Sequence, residues 1–304
     1  MPIECHYGSD CFIQNYVDAN PSADVTDYHC GHLTYDGHKG TDFRLTDFAA
    51  MQHGVPVLAA ADGTVLRLRN DVPDTGLDQG RDAISDKECG NGLVIAYAEG
   101  YQTQYCHMKR GSIQVRFGAA VKAGEVLGQV GYSGMTEFPH VHFQVSRHGV
   151  IVDPFNTTPD ASCAASPHSL WAPDVAEQLP YIETAILGAG FSDHLPQRDR
   201  MEAPLVPMAQ LASDTAMLTF WGNLMGLHAG DRMVMKVTTP DGTVVVGKTA
   251  FITRFQATAF QFIGKRLHAP LATGRYTGHI RVERNGSVVA SRTMATTIAA
   301  RVMP

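Results

Sequence analysis

The sequence has no apolar run near the roughly 18–20 residues that a helix needs to cross a membrane. No membrane-spanning helix is therefore expected. Met1-Pro2-Ile3-Glu4-Cys5 lacks the basic start and apolar core of a signal peptide, so any export signal is expected to lie outside these residues. An excess of positive charge is also missing. The 30 acidic and 24 basic residues give a formal net charge of -6, which removes the electrostatic basis for binding nucleic acid. Charged residues make up 18% and hydrophobic residues 44%, a balance that excludes a disordered chain. No Cys-x-x-Cys pair occurs, which argues against a cysteine zinc site. No cysteine follows Cys163, so all six (Cys5, Cys11, Cys30, Cys89, Cys106 and Cys163) lie in the first part of the chain.

At 304 residues the chain has room for two domains of roughly 100–200 residues each. The even number of cysteines favours disulfides and an oxidising compartment. Over residues 34–155, short apolar strands alternate with glycine turns, which predicts a compact antiparallel β fold. Residues 93–97 and 102–108 flank Glu99-Gly100 as a hairpin. Residues 71–88 are polar and weakly periodic, and read as a long excursion over the surface. Strand signals stop over 166–180, where Pro167, Pro173 and Pro180 appear. Further alternating segments follow, with Pro240-Asp241-Gly242 and Arg284-Asn285-Gly286 as hairpin turns. About seven strands over roughly 120 residues predict an immunoglobulin-like β-sandwich. The expected organisation is a first domain over 1–168 with its core at 34–156, a linker at 169–180, and a β-sandwich at 181–304.

Four of the 14 histidines stand out by context. His38-Lys39-Gly40-Thr41-Asp42 sets an imidazole and a carboxylate four apart. In a straight strand these sit about 13 Å apart, too far to share a metal, but Gly37 and Gly40 let the backbone curve. His140-Val141-His142 places two imidazoles on one face of a strand, roughly 6–7 Å apart. His107, in Gln104-Tyr105-Cys106-His107-Met108, is the fourth. Singly, each has a bland alternative as surface polarity or a structural histidine.

Together these residues resemble the lysostaphin-type (LytM-type) zinc metallopeptidases, which act on peptidoglycan. The likeness runs from His38-Lys39-Gly40-Thr41-Asp42-Phe43 through Ala61-Asp62-Gly63-Thr64-Val65 and Gly90-Asn91-Gly92-Leu93-Val94-Ile95. It continues through Gln104 to Met108 and ends at Pro139-His140-Val141-His142-Phe143, about 120 residues in all. The resemblance implies a mainly β chain, with a lysostaphin-type antiparallel β peptidase domain followed by the sandwich. It implies about one Zn2+ per chain, held by His38, Asp42 and His142, with His107 and His140 as catalytic residues beside an open fourth position. A zinc-activated water would then hydrolyse peptide stems or cross-bridges of peptidoglycan in the periplasm or outside the cell. Which catalytic histidine is the base stays open. Two departures are visible: Met135-Thr136-Glu137-Phe138-Pro139 replaces a glycine- and asparagine-rich loop, and residues 71–88 are an insertion. Both are expected to line the groove. An extracytoplasmic zinc peptidase acting on proteins and a non-catalytic activator of another wall hydrolase remain as alternatives.

The other ten histidines carry no expected role, with His29 and His32 the nearest exceptions, and Trp171 and Trp221 are expected in the core. Cys89–Cys106 is the expected first disulfide because the two flank one hairpin. In that register Cys106 faces Leu93, so Cys89 must fold back. Cys5–Cys11 then closes a short terminal loop, and Cys30–Cys163 remains. The sandwich, with single, scattered histidines, is expected to serve attachment or positioning. A cover over the groove is the alternative, which truncation near Pro180 would separate.

Overall fold

Apolar and aromatic residues at every second position give strands whose two faces differ in chemistry. The computed structural model describes residues 1–158, 168–196 and 207–300. Its first ten strands are β1 (Cys11–Asn15), β2 (Thr41–Leu45), β3 (Pro56–Leu58), β4 (Gly63–Arg69), β5 (Asn91–Ala96), β6 (Tyr101–Met108), β7 (Ala120–Val121), β8 (Val126–Gln129), β9 (His140–Arg147) and β10 (Val150–Val152). One antiparallel sheet runs β1-β2-β9-β6-β5-β4-β7, with β10 on β9, while β3 pairs with β8. A short helix, α1 (Phe48–His53), follows β2 and is capped by the Asp47 carboxylate, which accepts from the Ala50 N–H.

The register of β2, β9 and β6 sorts the side chains. Phe43 pairs with Val141, and Phe143 pairs with both Thr41 and Tyr105. These residues are almost fully buried and form the core face. Truncating one such aromatic to alanine typically costs about 3–5 kcal/mol. On the other face Asp42 pairs with His142, His142 with Cys106, and Arg44 with His140. Packing on one side thus fixes the polar residues on the other.

Three features differ from the sequence expectation. First, β1 lies ahead of the expected core at 34–156 yet pairs with β2 along Cys11–Asn15. Second, the 71–88 excursion is not a bare surface loop. It forms two 3-10 turns, Gly76–Gln79 and Arg81–Ile84, with Val72 and Ile84 buried. The Gly76 and Leu77 amides donate to the carbonyls of Tyr132 and Thr136, which docks the excursion on the 131–137 loop. Third, the hairpin turn takes three residues, Ala98–Gly100, so Leu93 faces Tyr105 and not Cys106.

The chain divides into two compact units, Met1–Ile182 and Glu183–Pro304. The segment expected as a linker belongs to the first. It carries a helix, α2 (Pro173–Gln178). Trp171 meets the rings of Phe43, Phe143 and Phe155, and the Tyr181 hydroxyl donates to Asp27 at 2.7 Å. Cys5–Cys11 and Cys89–Cys106 are both disulfide-bonded. The pairing Cys30–Cys163 falls on Cys163, which lies outside the described residues.

The second unit contains β11 (Ala185–Ser192), β12 (Gln210–Ala212), β13 (Met217–Leu227), β14 (Arg232–Thr238), β15 (Val244–Phe251), β16 (Gln256–Arg266), β17 (Gly274–Arg284) and β18 (Ser287–Ala299). They form two sheets, β11-β13-β16 and β12-β18-β17-β14-β15. Phe191, Phe220, Leu224 and Ile263 from the first share one core with Met233, Met235, Ile280 and Val282 from the second. β11 has no strong strand signature because it is rich in alanine and glycine. Its Gly190 is needed: a Cβ there would lie 2.9 Å from the buried Trp221 ring.

Candidate metal centre

Asp42 reaches the polar face of the sheet because it alternates with the core residues Thr41 and Phe43 on β2. His38 precedes that strand. Gly37, at φ 72°, turns the chain there, which removes the 13 Å objection of a straight strand. His142 stands opposite Asp42 on β9. Gly40 makes room for it, since a Cβ at Gly40 would lie 2.7 Å from the His142 ring.

The three donor atoms converge. His38 Nε2 lies 3.2 Å from Asp42 Oδ1, His142 Nδ1 lies 2.9 Å from the same oxygen, and the two nitrogens are 3.1 Å apart. A tetrahedral zinc site with bonds near 2.0–2.1 Å spaces its donors by ~3.3 Å. The cluster is therefore close to zinc dimensions, and its two-nitrogen, one-oxygen set suits zinc chemically.

The surroundings fix which atoms are free to bind. His38 Nδ1 lies 2.7 Å from the Tyr16 carbonyl, which only accepts, so Nδ1 carries the proton and Nε2 the lone pair. Asn15 Nδ2 donates to Asp42 Oδ2 at 2.7 Å, leaving Oδ1 for the cluster. Burial alone would raise the Asp42 carboxyl, but the facing His38 and His140 hold it well below the usual range. Burial lowers His38, but the Asp42 carboxylate beside it raises it overall. Burial pushes His142 down.

His107 and His140 stand next to this cluster with their rings 4.6 Å apart, and the His107 ring is 6.1 Å from that of His142. Their outer nitrogens are also tied to backbone: His107 Nδ1 donates to the Ser133 carbonyl at 2.8 Å, and His140 Nδ1 to the Phe138 carbonyl at 2.9 Å. Each neutral ring then keeps its Nε2 lone pair. His140 Nε2 is 3.4 Å from Asp42 Oδ1. His107 is pushed well below the ordinary histidine range by burial, then by His140 and His142. The ring of Phe138 stacks on His140 at 4.4 Å, and the buried Arg44 guanidinium lies 4.8 Å from the centre of the Phe138 ring.

A cleft crosses the cluster in two adjoining lobes of about 400 and 370 Å³. Tyr35, His107, Met135 and His142 border both. Lys39, Glu88 and Gln144 line one lobe, while Leu77, Arg81 and Phe138 line the other. The 71–88 excursion and the 135–139 loop thus wall the groove. All five sequence-selected residues meet here. His29 does not: it stacks on Tyr181, with ring centres 4.2 Å apart. Sequence reasoning missed Asn15 and the carbonyls of Tyr16, Ser133 and Phe138.

Comparison with known proteins finds relatives for the part of the chain that carries this cluster. Residues 36–154 match the family model described as Peptidase family M23. A peptidoglycan DD-endopeptidase of Vibrio cholerae, ShyA, is 31% identical over 112 residues, covering 37% of this chain and 21% of that protein. The DD-carboxypeptidase/endopeptidase Mpg of Neisseria meningitidis is 33% identical over 108 residues, covering 36% and 21%. The chain spans about a fifth to a quarter of the length of these curated relatives. Among solved structures, the catalytic domain of lysostaphin from Staphylococcus simulans is 26% identical, covering 39% of this chain and 76% of that one, with a TM-score of 0.29. A zinc-containing peptidase from Vibrio cholerae is 28% identical, covering 48% and 39%, with a TM-score of 0.30. The lysostaphin-type likeness read from the sequence thus coincides with the match of residues 36–154 to Peptidase family M23.

Proposed function

We propose that the protein is a zinc metalloendopeptidase that hydrolyses peptide cross-links of bacterial peptidoglycan outside the cytoplasm. The observation that carries this reading is the convergence of His38 Nε2, Asp42 Oδ1 and His142 Nδ1 at zinc spacing, in a cleft bordered by His107 and His140. The peptidoglycan DD-endopeptidases among its relatives support the substrate class. Among the described residues no helix is long and apolar enough to cross a membrane.

His38, Asp42 and His142 would hold the zinc, with a position left for a water. Zinc, when bound, supplies a Lewis acid that lowers the pKa of its water to about 7. The remaining work belongs to side chains. With Nδ1 tied to carbonyls, the Nε2 lone pairs of His107 and His140 are available beside that position. One takes the proton of the attacking water, and the other, once protonated, steadies the oxygen of the tetrahedral adduct. Burial, His140 and His142 hold His107 below the ordinary histidine range, so its ring is neutral at neutral pH. The two-lobed groove takes an extended peptide across the cluster. The second unit, whose sheets carry no comparable cluster among the described residues, is assigned to attachment or positioning.

Digestion of purified cell wall, with mass analysis of the released fragments, tests the reading. Peptides cut at cross-links are the expected product. Release of glycan fragments only, or of nothing while a protein substrate is cut, would refute it.

A further inference from the structure

The polar face of β6 presents two consecutive residues to the cleft, which a regular strand cannot do. Asn91 pairs with Met108 and Leu93 with Tyr105, so Cys106 and His107 together oppose Gly92 alone. This is a β-bulge, a feature that re-aims a side chain. It lets Cys106 stand opposite His142 while His107 also borders the groove. Gly92 accommodates the bulge: a Cβ there would lie 2.1 Å from the Tyr105 carbonyl oxygen and 3.0 Å from Cys89 Sγ. His107 takes φ 63°, a conformation disfavoured for a residue with a β-carbon.

Something must hold that conformation, and Cys89 does so at two points. Its Sγ is bonded to Cys106, the neighbour of His107, with the Cα atoms 4.8 Å apart. Its carbonyl accepts the His107 N–H at 2.8 Å. Bond and hydrogen bond close one small ring around the bulge. The same stretch is fixed to the facing loop, where the Glu88 carbonyl accepts from the Met135 amide. That loop supplies the Ser133 carbonyl that orients the His107 ring.

We propose that the Cys89–Cys106 disulfide is a positioning element for His107, holding the bulge that aims its imidazole into the cleft. Its catalytic consequence rests on the function proposed above. The bond stabilises the chain as any cross-link does, but this role is more specific: it acts on one histidine and on turnover.

The test is a Cys89→Ala/Cys106→Val variant in the full chain, which keeps both positions apolar. Zinc content and KM should stay near the parent values, while kcat falls about 10–100-fold, the scale of a misplaced catalytic group. Amide exchange at His107 should accelerate, while Val94 and Ile95, further along β5, keep their protection. If the variant does not fold, the parent is treated with a phosphine, which takes the disulfide to two thiols and becomes the phosphine oxide with oxygen from water. Loss of kcat should then track reduction of Cys89–Cys106, mapped by alkylation, and not that of Cys5–Cys11. Retention of the parent kcat, or of the parent exchange rate at His107, overturns the proposal. A parent inactive on wall peptides would instead defeat the functional reading, and the exchange rates would still decide the clamp.

Discussion

Asn15 donates its side-chain amide to Asp42 Oδ2 at 2.7 Å, so the carboxylate turns its other oxygen alone towards His38 and His142. Partners of this kind orient a ligand, and losing one typically costs 10–100-fold in metal affinity. Asn15→Ala is expected to weaken zinc binding by about that factor with the fold retained. Competition against a chromophoric chelator measures it; parent affinity would show that Asp42 needs no such support.

His107→Ala and His140→Ala are expected to retain zinc and lose turnover. Neither ring belongs to the three-donor cluster, and general acid–base groups contribute about 10²–10⁴-fold. Initial rates on a cross-linked muropeptide, with zinc content measured on the same samples, check this. Near-parent rates in both variants would remove the pair from the mechanism.

Much of this site was legible in the sequence because its side chains carry the chemistry. His38, Asp42, His107, His140 and His142 stand out by type, spacing and order. What supports them was not. Asn15 lies 27 residues before Asp42 and carries no local signal. The carbonyls of Tyr16, Ser133 and Phe138 are backbone, and any residue could supply them. The bulge at Cys106 and His107 is a matter of register that alternation cannot reveal, and the three-residue turn Ala98–Gly100 is what moved Leu93 from Cys106 to Tyr105. Among the strands, β11 escaped because alanine and glycine are poor strand formers, although Gly190 is what lets Trp221 pack. The 3-10 turns of the 71–88 excursion are too short to show a period.

Asp153 gives a pH dependence of stability. Burial raises its carboxyl from 3.8 to about 7, against the backbone amides of Phe155 and Asn156 and with a small push from Asp27. Between about pH 4 and about pH 7 the native state therefore holds more proton than the unfolded state. This contribution is complete below the unfolded value and is lost as pH rises towards 7. Asp153→Asn should gain stability relative to the parent at pH ~8 compared with pH ~5. The gain should be about 1–2 kcal/mol, reduced from the full linkage value by residual solvent contact. Urea midpoints at the two pH values measure it; parallel shifts would place the titration elsewhere.

Truncation should be made after Ile182, because Trp171 and Tyr181 pack into the first unit. For an attachment role, the shortened protein should keep its rate on a small soluble peptide and lose rate on intact wall. A faster soluble reaction would indicate a cover, and a lost one a part in building the site.

The central claim is that hydrolysis depends on metal held by His38, Asp42 and His142. The most direct measurement is the rate of cross-link cleavage in metal-stripped protein titrated with zinc. The rate should rise from zero and break at about one equivalent per chain, with His142→Ala silent throughout, since two remaining donors cannot hold the site. A metal-free protein that cleaves at the full rate, or a His142→Ala protein with the parent titration, would contradict it.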